Sequence, residues 1–552
     1  MKEILVAYLI LASLSGIGQT AIFDKAESFS RQDSLRGSIT PERSWWDLQY
    51  YDLYVSVDAE NKFISGVNTV TYEVLEEHNV MQIDLQEPMK VIRATQAKKE
   101  LEIIKEGNAH FIQLPEQKKG QKSSVKIYFE GNPREAIRAP WDGGYSWKKD
   151  DNGNHFIATS NQGIGASLWW PCKDHMYDEP DNGMTLSIEV PEKLTAVGNG
   201  RLDKIEKNKN GTKTFVWKVV NPINNYGVNV NIGDYVNISS KYEGEKGKLD
   251  VDYWVLSYNK EKAKEHFKDG FRTLEAFEYW FGPYPFYEDS YKLVEVPYLG
   301  MEHQSSVTYG NQYKKGYLGR DLSGTGWGLK WDYIIIHETG HEWFANNITY
   351  KDAADMWIHE GFTTYSESLF IEYFYGNEAA SAYTQGLRLG IQNSEPLIGN
   401  YGVNDEGSRD VYSKGNNLLH TLRQVVNDDE KWRAILRGLN QKFYHQTVST
   451  KDVEDYISEQ AGVNLDNVFD QYLRDIRVPV FEYAIAESKL YYRWTNCIES
   501  FDMPIKVLNG DNEVSLSPKS SFQMIDITDK SISISNDYYI YKNEVVIDRI
   551  QD

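Results

Sequence analysis

The stretch KWDYIIIHETGHEWFANN, residues 330–347, decides how the middle of this chain folds. Its apolar residues recur at helical spacing, which predicts an α-helix. Residues four apart on a helix lie about 40° apart around its axis, so His337 and His341 project from one face, one turn apart. Glu338 is rotated by about 100° from His337 and flanks the space between the imidazoles. The pattern is typical of a metal site at which Glu338 takes a proton from metal-bound water, but two histidines on a helix can equally belong to a packed or solvated face, so both interpretations stay open until a third ligand is found.

A third ligand must come from elsewhere, because a hydrolytic zinc usually takes three protein ligands and keeps a position for water. We expect the first helix to end near Asn347 and a second helix to open at WIHEGF, residues 357–362, after a turn. Glu360 can then face the histidines from an antiparallel helix, which makes a His2Glu set. His359 is the competing donor, but it points about 100° away from Glu360, so we assign it to packing or to a contact behind the ligands.

Two further polar residues follow on the second helix. Thr364 and Glu367 lie four and seven residues after Glu360 and share its face. They could orient the histidines by hydrogen bonds, or they could form an ordinary exposed polar face. Both interpretations stay open at this point.

Hydrophobic patterning divides the chain into regions of different character. Residues 45–242 show short alternating runs broken by Gly, Asn and Pro, which predict an antiparallel β domain with one exposed face. Residues 243–477 carry apolar residues at helical spacing, apart from the strand-like YKLVEVP at 291–297, and predict a mainly helical domain. Alternation returns in residues 478–552, which predict a small β domain.

The first residues, MKEILVAYLILASLSGIGQTA, pass from a charged start through an apolar run into small residues. This order is typical of a secretory signal peptide, which we place at residues 1–18 and follow with a linker at residues 19–44. A membrane anchor is the alternative, but the apolar run is shorter than the ~20 residues that a span needs. We therefore expect a periplasmic or secreted protein without stable membrane insertion after removal of the signal.

Composition excludes several classes of function. Acidic residues outnumber basic ones by 81 to 59, the formal charge is -22, and no dense Lys/Arg cluster stands out. This charge disfavours binding to nucleic acid or to an anionic membrane surface. Cys172 and Cys497 are the only cysteines, so neither a disulfide framework nor a Cys-based zinc ribbon can be built.

Three motifs occur in order along the chain: GMEH at residues 300–303, the histidine pair with eighteen residues between His341 and Glu360, and VYSKG at residues 411–415. Together they resemble the zinc aminopeptidases of the aminopeptidase N and leukotriene-hydrolase group, within the gluzincins. The resemblance covers roughly residues 45–477. It implies an α+β multidomain fold, with an N-terminal antiparallel β saddle domain and a thermolysin-like, mainly helical catalytic domain, and one zinc ion per chain. The short, strand-like C-terminal β domain differs from the long helical one of many relatives.

The resemblance also implies roles for individual residues. Glu302, beside Gly300 and Met301, matches the glutamate that binds the free α-amino group of the substrate. Gln162, nine residues before the Pro of PC, matches a residue that assists in holding the amine. Tyr412 matches the tyrosine that steadies the oxyanion. The implied activity is removal of the first residue from peptides with a free N-terminus.

Two departures from the family motif G-x-M-E-N are visible. Leu299 stands at its first glycine and His303 at its asparagine, and both bear on the backbone fit and on side-chain preference. An endopeptidase or an epoxide hydrolase on the same zinc scaffold is an alternative, as is a catalytically inert peptide-binding protein. Glu338 and Tyr412 argue against the inert protein, because a structural zinc site needs neither. The sequence leaves the oligomeric state and the preferred first residue open.

Overall fold

The computed structural model describes residues 28–546. The predicted signal peptide and the first part of the predicted linker lie outside the described residues. The rest of that linker contains two short helices, α1 (Arg31–Gly37) and α2 (Pro41–Ser44). The buried side chain of Arg43 donates to Asp84 Oδ2 at 2.6 Å and thereby fixes this segment to the β region.

The N-terminal region consists of strands. They are β1 (Trp46–Asp58), β2 (Phe63–Val74), β3 (Val80–Asp84), β4 (Lys90–Gln96), β5 (Lys99–Leu101), β6 (Ile103–Glu106), β7 (Ala109–Gln113), β8 (Lys122–Gly131), β9 (Gly144–Lys149), β10 (His155–Ser160), β11 (Met184–Pro191), β12 (Thr195–Val197), β13 (Arg201–Lys207), β14 (Thr212–Val219), β15 (Asn231–Gly233), β16 (Tyr235–Gly244) and β17 (Gly247–Leu256). Alternate residues of β1, such as Leu53 and Val55, point into the core, as the alternating pattern predicts.

Three sheets are built from β1 to β15. One has eight strands in the order β13-β14-β11-β1-β2-β8-β4-β5, a second has the order β12-β15-β10-β9, and a third has the order β3-β7-β6. Strand pairs in these sheets are antiparallel, with one difference from expectation: β1 and β11 pair in parallel. The predicted domain boundary at residue 242 lies inside β16, which joins the sheet of the next region.

The central region combines that sheet with helices. Its strands are β18 (Tyr291–Glu295), β19 (Gly300–Met301), β20 (Val307–Tyr309), β21 (Ile348–Tyr350) and β22 (Gln446–Val448). Its helices are α3 (Lys260–His266), α4 (Lys268–Phe281), α5 (Tyr333–Gly340), α6 (Trp357–Tyr375), α7 (Asn377–Leu387), α8 (Ser413–Val426), α9 (Asp429–Lys442), α10 (Thr450–Ala461) and α11 (Asp466–Phe469). The five-stranded sheet has the order β16-β17-β18-β20-β19, and β18 is the strand predicted from YKLVEVP.

Helix α5 ends earlier than expected. The side chain of Asp332 caps it by accepting from the amides of Ile334 and Ile335. The helix ends at Gly340 rather than near Asn347, because the chain turns and pairs as β21 with β22, far along the sequence. His341 lies at the C-cap and keeps a helical conformation, so the two histidines still share one face.

The C-terminal region is a small β unit, as predicted. Its strands are β23 (Val480–Ala486), β24 (Lys489–Thr495), β25 (Ile505–Asn509), β26 (Asn512–Leu516), β27 (Gln523–Asp526), β28 (Ser533–Ile534) and β29 (Tyr541–Glu544). They form two sheets of order β27-β24-β23-β29 and β26-β25-β28. His420 Nε2 on α8 lies 3.1 Å from Asp537 Oδ1, which joins this unit to the helices. Of the helices in residues 28–546, none has the length and apolar composition of a membrane span.

Candidate active site

The three predicted metal ligands lie together. The ligand atoms of His337, His341 and Glu360 are all within 4.8 Å of one another, and all three side chains are buried. Glu360 Oε2 lies 3.5 Å from His337 Nε2 and 3.3 Å from His341 Nε2. Although this oxygen is buried, it has no hydrogen-bond partner among the described residues. Two imidazole nitrogens and a carboxylate oxygen directed at one point fit a divalent cation such as zinc.

The outer nitrogens of both imidazoles are engaged. His337 Nδ1 lies 2.7 Å from Glu367 Oε1, and His341 Nδ1 lies 3.0 Å from a main-chain carbonyl and 3.0 Å from Thr363 Oγ1. Because each Nδ1 donates outward, each Nε2 keeps its lone pair for a cation. Thr364 and Glu367 were the two polar residues that could orient the histidines or form an exposed polar face; both are buried, and Glu367 contacts His337. Thr364 does not orient either histidine, since α6 turns Thr363 toward His341 instead and leaves the Thr364 hydroxyl without a partner in the described chain.

His359, the competing donor, packs away from the ligands. Its Nε2 accepts from the amide of Tyr350 at 3.0 Å, and the two rings stack with centroids 4.1 Å apart. This is the packing role that the sequence suggested. Tyr333, which the sequence did not single out, stacks on His337 with centroids 5.2 Å apart.

Burial and charge set the protonation of the acids. Burial alone would raise the pKa of Glu360, but the charge of His341 and the closeness of His337 hold it well below its usual range. Burial raises the pKa of Glu338 to about 8, with His337 lowering it and Glu302 raising it. A bound cation would lower it again, because positive charge favours the carboxylate. A carboxylate oxygen of Glu338 also lies within 4.8 Å of a carboxylate oxygen of Glu302 and of a ring nitrogen of His341.

A second set of contacts adjoins the metal ligands. Gln162 lies just after the end of β10. Its Nε2 atom lies 2.7 Å from Glu302 Oε1 and 2.9 Å from Glu360 Oε1. The hydroxyl of Tyr226 donates to Glu302 Oε1 at 3.1 Å. Glu302 is buried, and burial raises its pKa, although the charge of His341 opposes this. One amide from the β region thus bridges Glu302 to a metal ligand.

The strand before Glu302 explains its placement. Gly300 and Met301 form β19, at the edge of the five-stranded sheet. A Cβ atom on Gly300 would lie 2.4 Å from Ile334 Cγ2, so glycine is required for β19 to approach α5 this closely. His303, where the family motif has asparagine, is buried with Nδ1 at 3.2 Å from Thr308 Oγ1, and burial lowers its pKa to about 3.

Tyr412 lies at the mouth of the site. It precedes α8, and its ring faces that of His337 with centroids 6.1 Å apart and planes 26° apart. The side chain is 38% exposed, which makes it the most accessible of the predicted site residues. The ring thus lies next to one of the predicted metal ligands.

Sequence patterns did not indicate Glu406 as part of this neighbourhood. A Cβ atom on Gly163 would lie 2.7 Å from Glu406 Oε1, so the carboxylate lies against the residue that follows Gln162. Burial raises the pKa of Glu406 to about 7, with Arg36 lowering it and Glu360 raising it. Neither Glu406 nor Tyr226 belongs to a recognisable local motif, so only the folded arrangement brings them to the site.

Comparison with known proteins follows the same division of the chain. The Peptidase M1 N-terminal domain matches residues 48–226, and the Peptidase family M1 domain matches residues 266–472. Aminopeptidase N of Lactobacillus helveticus is 24% identical over 469 residues, which are 80% of this chain and 52% of that protein. The puromycin-sensitive aminopeptidase of Caenorhabditis elegans is 23% identical over 463 residues, covering 78% of this chain and 47% of that protein. The chain spans about half the length of the curated relatives it matches.

Solved structures share the fold. The M1 zinc metallopeptidase of Deinococcus radiodurans, crystallised as a mutant with a Tyr-Ser-Ala substrate, superposes with a TM-score of 0.64 at 22% identity. The superposition covers 78% of this chain and 95% of that chain. The N-terminal domain match contains Gln162, and the M1 domain match contains Glu302, the three predicted metal ligands and Tyr412. The chain belongs to peptidase family M1.

Proposed function

We propose that this protein is a zinc aminopeptidase that removes the first residue from peptides with a free N-terminus. The observation that carries the proposal is the Gln162 side chain, which lies 2.7 Å from Glu302 and 2.9 Å from Glu360. A buried carboxylate suited to an ammonium group thus lies beside a metal ligand. A peptide whose amine is held there can bring its first peptide bond to the metal, and no later one.

The metal ligands are His337, His341 and Glu360, with one zinc ion per chain. When bound, zinc supplies a Lewis acid that polarises the carbonyl and lowers the pKa of a coordinated water to about 7. Glu338 accepts the proton of the attacking water and passes it to the leaving amine. Tyr412 donates a hydrogen bond to the carbonyl oxygen as that oxygen gains negative charge.

Glu302 and Gln162 bind the substrate without making or breaking bonds. Glu302 accepts hydrogen bonds from the ammonium group, and the opposite charges attract strongly in a site from which water is largely excluded. Burial raises the pKa of Glu302, and a substrate ammonium supplies the counter-charge that favours the carboxylate. Gln162 and Tyr226 hold the carboxylate in place.

Turnover of aminoacyl amides with and without a chelator tests this function. We expect release of the free amino acid, loss of turnover on chelation and recovery on addition of zinc, with one zinc ion per chain by metal analysis. Chelator-resistant activity without bound zinc would reject the metal assignment.

Peptides with blocked ends test the endopeptidase alternative. An unmodified peptide should lose residues one at a time, whereas its N-acetylated twin should stay intact. Cleavage of the acetylated peptide at internal bonds would favour an endopeptidase.

Location is a separate part of the proposal. The charged start and apolar run of the first residues support export, with a mature N-terminus near Gln19. N-terminal sequencing of protein from a native host tests this, and an intact Met1 on cytoplasmic protein would contradict it.

A further inference from the structure

We propose that Arg36 is a positioning residue for the aminopeptidase reaction: it holds the turn that presents Gln162 to the amine site. This inference rests on the proposed function. Arg36 belongs to α1, and the two family matches begin at residues 48 and 266, so the residue comes from outside both of them. No role for it follows from family membership.

The turn that carries Gln162 is tight. The amide of Gly165 donates to the carbonyl of Asn161 at 2.8 Å. The amide of Ile164 donates to the carbonyl of Gln162, also at 2.8 Å. Gly163 and Gly165 have φ of 71° and 94°, which favours glycine at both positions. Internal hydrogen bonds leave the carbonyl of Gly163 for partners outside the turn.

Two side chains from other segments donate to that carbonyl. Arg36 Nη2 lies 2.7 Å from Gly163 O, and Asn404 Nδ2 lies 3.3 Å from it. Gly163 directly follows Gln162, whose amide contacts Glu302 and Glu360 on the other side. These hydrogen bonds fix the backbone at Gly163. The next residue back, Gln162, must place its side chain within hydrogen-bonding distance of two carboxylates.

Arg36 has contacts on both its side chain and its backbone. Its side chain is 27% exposed, and its Nε lies 3.9 Å from Oδ2 of the buried Asp174. Arg43 donates to the carbonyl of Arg36 at 2.9 Å, which ties this end of α1 to the buried ion pair with the β region. A Cβ atom on Gly37 would lie 2.1 Å from Asn404 N, so α1 packs directly on the loop that supplies the second donor.

Arginine suits this position better than lysine would. Its planar guanidinium presents several donors at fixed angles, so one group can face Gly163 O and Asp174 together. An ammonium group is a single point of charge on a flexible stem and fixes less of the geometry. The Arg36 guanidinium therefore sets the orientation of the turn as well as stabilising it.

Kinetics of Arg36→Ala test the proposal. Loss of this hydrogen bond should lower kcat/KM for a neutral aminoacyl amide about tenfold, mainly through KM, because the amine is bound in both ground and transition states. Zinc content should not change. Arg31→Ala is the matched control, since it removes an arginine from the same helix that pairs with Glu106 at the surface; it should leave kcat/KM unchanged.

A double-mutant cycle separates positioning from general support of the fold. In a Gln162→Ala background, Arg36→Ala should change kcat/KM by less than about twofold, because the side chain through which Arg36 acts is gone. An equal tenfold loss in both backgrounds overturns the proposal, and so does wild-type kcat/KM in Arg36→Ala. Absence of wild-type turnover would instead reject the proposed function.

Asn404→Ala offers a second test that leaves α1 intact, should Arg36→Ala fold poorly. It removes the other, longer hydrogen bond to Gly163 O, so we expect a smaller loss of about two- to threefold that likewise disappears in the Gln162→Ala background. A loss that persists there overturns the role assigned to this carbonyl and hence to Arg36.

Discussion

The proposed metal centre and the proposed amine site share Glu360 but are assembled differently. The metal ligands come from residues 337–360, on two helices that pack against each other. The amine site joins Gln162 to Glu302, 140 residues later, and to Glu360, 198 residues later. One half of the active site thus depends on a local helix pair, and the other depends on docking of the β region against the helices.

This difference predicts two kinds of mutational effect. Changes at the helix pair should remove catalysis for every substrate, because they act on the bond-breaking step. Changes at the proposed amine site, which depends on docking of the β region, should leave zinc in place and act on the recognition of the free amine. Each experiment below breaks one half and asks whether the other survives.

The largest effect is expected for Glu338→Gln, within the helix pair. The ligands are untouched but the proton acceptor is lost, so kcat should fall by about 10²- to 10⁴-fold with zinc retained. Metal analysis and steady-state kinetics on one preparation check this. Near-normal turnover would show that another group takes the proton.

Glu302→Ala disrupts the proposed amine site. It removes the carboxylate proposed to pair with the ammonium group, and kcat/KM for free-amine substrates should fall by about 10²- to 10³-fold. Zinc content should match wild type, since Glu302 is not among the three proposed ligands. An N-acetylated substrate should be resistant to both proteins. Unchanged kcat/KM on free-amine substrates would remove Glu302 from the amine site.

Tyr412→Phe sharpens the comparison, because Tyr412 lies on a third segment, before α8. Its hydroxyl is proposed to act only as charge develops, so kcat and kcat/KM should fall together by about 10²-fold while KM stays nearly constant. Stopped assays over a range of substrate concentrations separate the two constants. A change in KM alone would place the hydroxyl in ground-state binding.

The same division explains what the sequence could predict. His337, His341 and Glu360 follow from helical periodicity, since spacing along a helix fixes which side chains share a face. The end of α5 could not be predicted from periodicity, because the turn after it depends on a partner distant in sequence. Asn347 Oδ1 accepts from the amide of His445, 98 residues later.

Small rotations and distant contacts account for the other differences. Thr363, rather than Thr364, contacts His341, and one residue on a helix corresponds to about 100° of rotation that only packing of α6 against α5 decides. Gln162, Glu302 and Tyr412 were identified by resemblance and not by spacing. Arg36 and Glu406 carry no local signal, because their partners come from segments far away in the sequence.

The smallest effect is expected at the docking surface itself. Lys292 on β18 is buried, and its ammonium group donates to the carbonyl of Gly200 in the β region. Burial lowers the pKa of Lys292 to about 8, well below the value of 10.5 for an exposed lysine. Between these two values the unfolded chain binds more protons at this residue than the folded one. The contribution of Lys292 to stability should therefore rise as the pH increases from about 8 to about 10.5.

Lys292→Met removes this titration while keeping an unbranched side chain at the docking surface. The difference in unfolding free energy between wild type and variant should shift in favour of wild type by about 1 to 3 kcal/mol across that pH range. Denaturant unfolding of both proteins at several pH values measures it, and the subtraction cancels groups that titrate equally in both. Zinc content should be the same in the two proteins, because the helix pair does not include β18. A difference that is flat with pH would mean that Lys292 keeps its ordinary charge in the folded protein, and zinc loss in the variant would mean that the metal centre also depends on docking.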